Sequence, residues 1–141
     1  MMENKELFGE IEELRTIKKA INNLKRSYLE IKEEDFKQSV KEIINWLDKI
    51  YEEIFNDNNK LKHFKMYGEY YLPTIKNIID RYNVIKVKKI NSSEAIQTLD
   101  KIEITMKKLN DHFENVYNSF FENEILDLDA EIKVLLHEIK K

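Results

Sequence analysis

The sequence predicts an all-α protein, an elongated antiparallel bundle of about four long helices plus a short C-terminal helix. Three observations carry that expectation. Apolar residues recur at three- and four-residue steps along most of the chain, the spacing of one helical face. Charged residues make up 36% of the 141 positions and fill the gaps between them. Glycine occurs twice and proline once, too few for the many tight turns of a sandwich or barrel. At this length residues 1–141 read as a single helical-bundle domain with one core.

The first helix is expected over about residues 5–32. Leu7, Ile11, Leu14, Ile17, Ile21, Leu24, Tyr28 and Ile31 form its stripe, a coiled-coil-like seam that in a short chain packs in a bundle. The stripe loses register between Ile31 and Phe36, where Asp35 and Gln38 resemble an N-cap and its return partner. A hairpin is preferred there over one continuous helix. The second helix carries Phe36, Val40, Ile43, Leu47, Ile50 and Ile54, and Ile44, Tyr51 and Phe55 widen its face beyond a two-helix seam. Trp46 sits on the flank, placed to fill a groove.

Asn56-Asp57-Asn58-Asn59 is the clearest break, since these side chains satisfy free backbone groups. A third helix starts near Lys60, and its period runs on through Pro73. Proline removes one backbone donor and crowds the carbonyl four residues back. The expectation is a helix bent at Pro73, or two shorter helices with Pro73 in the first turn of the second. Asn91-Ser92-Ser93-Glu94 caps a fourth helix of about 28 residues, roughly 42 Å long. Asp127 is expected to cap the last helix, which bears Leu128, Ile132, Leu135, Leu136 and Ile139.

Composition limits function. There is no cysteine, hence no disulfide frame, thiolate metal site or cysteine nucleophile, which suits a cytoplasmic protein. The N-terminal segment is acidic and unlike a signal peptide, and no stretch has the length and apolarity of a membrane span. The net charge of −3 hides an asymmetry. Residues 60–90 hold eight Lys/Arg and two acids, whereas residues 110–132 hold seven acids and no base. The two segments face one another or solvent, or the first offers an anion-binding face.

No catalytic constellation is recognisable. His63, His112 and His137 fall on three different helices, without the spacing that places two metal ligands on one face. No metal or other cofactor is expected. Asp127-Leu128-Asp129 resembles the start of an aspartate-nucleophile phosphatase, but the sheet such a site needs is missing, and Ile132 stands where a calcium loop needs glycine. Acids opening a helix favour its dipole. Aromatics interleave with bases over residues 62–67, yet they sit at core spacing in an acidic chain, so no nucleic-acid partner is expected.

One stretch is distinctive: Tyr70-Tyr71-Leu72-Pro73-Thr74, leading to Arg81-Tyr82. Four of the seven tyrosines fall between Tyr67 and Tyr82, with Gly68 and the only proline. The run EYYLPTIKNIIDRYNVI resembles the signature of the 5-bromo-4-chloroindolyl phosphate hydrolysis protein family, also called XpaC-like. Residues 96–121 look like that family's long following helix, and LDLDAEIKVL like its acidic-aliphatic ending. The resemblance covers roughly residues 35–141 and is centred on Tyr70, Tyr71, Leu72, Pro73, Thr74, Arg81 and Tyr82. Familiar members carry apolar N-terminal segments that this sequence lacks.

The resemblance implies a helical fold, and its name implies phosphate-ester hydrolysis. The family's association with toxic-anion (tellurite) resistance proteins implies an accessory or adaptor role with a protein partner. Three readings follow. The leading one is a non-catalytic interaction protein. The second is a phosphoric-ester hydrolase, with Arg81, Lys65 and Lys76 holding phosphate and Tyr70 or Tyr71 acting with Asp127 and Asp129. The third is a coiled-coil protein that self-associates through leftover apolar stripe.

Overall fold

A computed structural model describes the backbone of residues 2–140 and the side chains of residues 7–140. It contains α1 (Met2–Leu29), α2 (Glu34–Asn56), the single turn α3 (Asn58–Leu61), a π-helical turn (Tyr67–Tyr71), α4 (Leu72–Val87), α5 (Ser93–Ser119) and α6 (Glu122–Ile139). No strand occurs among the described residues. The all-α expectation holds.

Helix α2 organises the body. It packs against α1 on one side and α5 on the other, while α4 lies against α1 and, more lightly, α5. Its wide apolar face explains two large neighbours: Phe36, Val40, Ile43, Ile44, Leu47, Ile50 and Ile54 are all buried. Each such side chain contributes about 1.5–3 kcal/mol through burial. Ile17, Ile21 and Leu24 of α1, with Ile75, Ile79 and Tyr82 of α4, complete the core. From α5 only Leu99, Met106 and Phe113 are buried, a narrow seam one heptad apart. Trp46 packs beside Tyr117 of α5 with ring centroids 5.8 Å apart.

The hairpin between α1 and α2 is present, but its chemistry differs from expectation. α1 closes at Leu29, and the Glu30 and Ile31 amides donate to the Ser27 and Tyr28 carbonyls, a tightened last turn. Ile31 is buried although it lies outside the helix. α2 begins at Glu34, so Asp35 is inside the helix and the cap position is Glu33, whose side chain caps nothing. That carboxylate is held elsewhere, by the Tyr82 hydroxyl and Lys86.

At the next break Asp57 accepts a hydrogen bond from the Asn59 amide at 3.1 Å. The third helix does not start at Lys60. α3 ends at Leu61, and helix resumes only at Lys65. The later cap is as expected, with Ser92 Oγ accepting from the Ala95 amide at 3.2 Å. α4 ends at Val87, and Lys89 just beyond it has a φ of 54°. The Ile90 amide there reaches back to the Ile85 carbonyl, the left-handed closure usually given to glycine.

α6 departs most from expectation. It starts at Glu122, five residues before Asp127, after only Phe120 and Phe121 separate it from α5. No glycine or proline interrupts residues 122–139, and Glu122 and Glu124 in the first turn suit the helix dipole. It buries no residue at all. Leu128, Ile132, Leu135, Leu136 and Ile139, the apolar residues the last helix was expected to bear, are each more than half exposed.

Candidate functional site

The distinctive Tyr-Tyr-Leu-Pro stretch forms the π turn and the start of α4. Pro73 has no amide to give the carbonyl four residues back, and its ring crowds that position. The backbone widens by one residue just before it, and the Leu72 amide bonds to the Tyr67 carbonyl five residues earlier. Thr74 Oγ donates to the Tyr70 carbonyl at 2.7 Å, reinforcing the junction. Pro73 thus sits in the first turn of α4, and the helical period crosses it through a wide turn rather than a loop.

The π turn lies against α1 because residue 68 is glycine. A Cβ on Gly68 would stand 2.9 Å from Thr16 Cγ2 and 3.1 Å from the Ile17 backbone nitrogen, closer than normal packing permits. Gly68 and Leu72 face inward, leaving Tyr70 and Tyr71 half exposed. Tyr71 meets Tyr67 edge-on at 5.7 Å, and Tyr67 meets Phe64 at 4.8 Å and Phe113 of α5 at 5.9 Å. Such tilted pairs add about 0.5–1.5 kcal/mol each beyond burial.

Beside this aromatic group, α4 and α5 part to leave a cleft of about 630 Å³. Its walls are Tyr67, Tyr71, Ile75, Ile78, Leu109 and Phe113, and its polar lining is Thr74, Thr105, His63 and His112. Among the described residues no carboxylate, lysine or arginine lines it. Burial, with a smaller effect from Tyr71, pushes the Tyr67 phenol up to about 12. At neutral pH it stays protonated and uncharged, a hydrogen-bond donor and a poor nucleophile.

The other motif residues lie apart from the cleft. Tyr82 is buried and stacks on Phe36 with centroids 3.7 Å apart. Its hydroxyl shares one proton between Glu33 Oε2 at 2.6 Å and Glu103 Oε1 at 2.9 Å. Burial first, then those two bonds, raise its pKa far above the tyrosine range. The hydrogen bonds from Tyr82 and Lys86 hold Glu33 below the usual carboxylate value. This cluster ties the hairpin loop, α4 and α5 together. Asp80 similarly accepts from Ser27 Oγ at 2.6 Å and pairs with Lys76 at 2.5 Å, joining α1 to α4.

Of the residues read as anion-binding, Lys76 is therefore occupied by Asp80, whereas Arg81 and Lys65 are exposed and make no ion pair among the described residues. None of the three lines the α4–α5 cleft. Asp127 and Asp129 are exposed on α6, the latter paired with Lys133 at 2.9 Å. Among the described residues no His, Asp and Glu cluster is grouped to hold a metal. No helix among them is long and apolar enough to cross a membrane.

A family model described as 5-bromo-4-chloroindolyl phosphate hydrolysis protein matches residues 5–135, nearly the whole chain. The chain belongs to that family. The match takes in α1 as well as the Tyr-Tyr-Leu-Pro stretch, and reaches into α6. No curated protein and no solved structure matches the chain. Within this family member, sequence reasoning found the motif but missed its surroundings. Thr105, Leu109 and Phe113 complete the cleft from α5, and Glu33 and Glu103 hold Tyr82. The only sequence signal for the cleft was a pair of histidines on separate helices.

Proposed function

We propose that this member of the indolyl phosphate hydrolysis family is a non-catalytic interaction protein that receives an apolar helix of a protein partner in the α4–α5 cleft. The observation that carries the reading is the lining of that cleft, aromatic and aliphatic walls with only neutral hydroxyls and two imidazoles at its edge. A phosphate ester would enter it without meeting a lysine or arginine fork, the groups that bind phosphate best. An amphipathic helix would fill the same walls with its i, i+3 and i+4 side chains. The resemblance to a family associated with toxic-anion (tellurite) resistance proteins suggests a partner of that class, and the reading is of a cytoplasmic adaptor.

The test uses the intact protein in two assays. Purified protein is expected to leave 5-bromo-4-chloroindolyl phosphate unhydrolysed, while tagged protein retains a toxic-anion resistance protein from its native cells. Thr105→Arg, exposed in the cleft, is expected to release that partner without lowering the melting temperature, and Tyr71→Glu to release it at the cost of the ring contact with Tyr67. Turnover of the ester by purified protein, abolished by Tyr70→Phe or Asp127→Asn, would overturn the reading in favour of a hydrolase.

A further inference from the structure

A second surface, on the opposite side of α2 from α5, suits a different occupant. Helices α1 and α2 enclose a groove of about 460 Å³ floored by Ile11, Leu14, Tyr51 and Phe55. Arg15, Lys18, Lys19 and Arg26 stand around it, with no carboxylate in its lining among the described residues. Arg15 pairs with Glu12 at 2.7 Å and Lys18 lies over the Tyr51 ring, 4.9 Å from its centre. Phe55 and Ile11 are 60% and 43% exposed, so apolar floor is left open to water. Leu7 and Phe8, also exposed, extend the apolar strip past its end.

α6 is the complement of this groove. One face carries Ile125, Leu128, Ile132, Leu135 and Ile139, at helical spacing and all exposed. Its first ten residues contain Glu122, Glu124, Asp127, Asp129 and Glu131 and no base. Eighteen residues make a rod of about 27 Å, and the groove from Ile11 to Arg26 runs about 22 Å along α1 at the same rise. An acidic amphipathic helix and a cationic apolar groove of similar length therefore occur in one chain.

The two cannot meet within one copy as folded. α6 leaves α5 after two residues, and α5 packs on α2 and α4, not on α1. The groove is across the bundle from that junction. We infer that α6 of one copy docks in the α1–α2 groove of a second copy, and that reciprocal exchange closes a two-fold dimer. A two-fold arrangement uses both helices and both grooves, whereas one-way docking would leave an open chain of subunits. The cationic rim steers the acidic helix, and burial of the two apolar strips supplies the affinity. This goes beyond the adaptor reading and uses a different face, so either can fail alone.

The chain has no cysteine, which permits a direct test. Leu135→Cys and Phe55→Cys are made in separate full-length proteins, mixed and mildly oxidised. A disulfide joining one protein to the other is expected, in excess of disulfides between identical chains. In parallel, sedimentation over a wide concentration range is expected to give a dimer that weakens with salt. Ile132→Asp, or Lys18→Glu with Lys19→Glu, should weaken it about tenfold or more, and circular dichroism should report an intact fold. Adding Asp127→Lys and Asp129→Lys to the reversed groove should restore it. A monomer at every concentration, a dimer indifferent to the groove charges, or cross-links formed only between two Leu135→Cys chains would overturn the inference.

Discussion

Helices α2 and α6 have similar sequences in one respect and opposite fates. Both repeat apolar residues at three- and four-residue steps, both open with acids, and neither contains glycine or proline. α2 buries seven side chains, whereas α6 buries none. Periodicity states that a face needs cover. It does not state which molecule supplies it. For α2 the cover comes from α1 and α5 of the same chain, the first joined to it by a short hairpin and the second brought back by α4. For α6 the two-residue link to α5 keeps it off the body, and no described helix covers its apolar face.

The largest expected effect separates the two helices directly. Leu47→Ala in α2, where the side chain is 1% exposed, should lower unfolding free energy by about 2–5 kcal/mol. Leu135→Ala in α6, 59% exposed, should change it by about 0.5 kcal/mol or less in dilute protein. Urea titration of both variants measures the contrast, and equal losses would mean that α6 is covered even at low concentration.

Gly68→Ala comes next, because it presses on α1 within the body. The added carbon would overlap Thr16 Cγ2 and approach the Ile17 backbone, at a cost of about 1–3 kcal/mol. Thr16→Ser removes the first clash and leaves the second, so it should rescue the loss only in part. Complete rescue would assign the close approach to a side chain alone.

Tyr82→Phe should cost about 1–2 kcal/mol near neutrality, as Glu33 and Glu103 lose their shared donor. The pH dependence has a definite sign. Glu33 has its pKa lowered by folding, so its contribution is present above the ordinary value of 4.5 and fades as pH falls through the lower folded value. Tyr67 and Tyr82 have theirs raised, so their contribution is present below about 10 and is lost as pH rises beyond it. Melting temperatures from pH 3 to 11 should therefore fall at both ends, and Tyr82→Phe should flatten both limbs. A variant that parallels the wild type throughout would remove Tyr82 from the account.

The smallest effect is a gain. Lys89 holds a left-handed φ of 54°, and Lys89→Gly should add about 0.5–1 kcal/mol by relieving that conformation. Thermal melting reads it, and a loss would show that the lysine side chain makes a contribution larger than the backbone strain.

These contrasts also explain what the sequence could reveal. The all-α class was legible because apolar spacing is a local property, and Ser92 capped α5 as its own chemistry dictates. Asp35 failed as a cap because α2 already begins at Glu34, with Glu33 at the cap position and its side chain tied to Tyr82 across the bundle. The unbroken period through Pro73 was a readable sign of helix rather than loop, with Pro73 in the first turn of α4, but the widened turn before it was not foreseen. The cleft was not readable. Four of its ten lining residues come from α5, some thirty residues or more beyond the Tyr-Tyr-Leu-Pro stretch, and only tertiary packing puts them opposite Tyr67 and Tyr71.

The π turn has one further consequence, which concerns phase. An ordinary helix advances about 100° per residue, so one extra residue in a turn rotates everything before it relative to everything after. Residues up to Tyr67 and residues from Leu72 onward thus belong to two differently clocked faces, and the wide turn aligns both with α5. Removing one residue, such as exposed Glu69, would restore the ordinary pitch and swing Tyr67 away from Phe113 and Phe64 away from Phe120. The tyrosine-proline motif acts as an angular spacer, and its length matters as much as its chemistry.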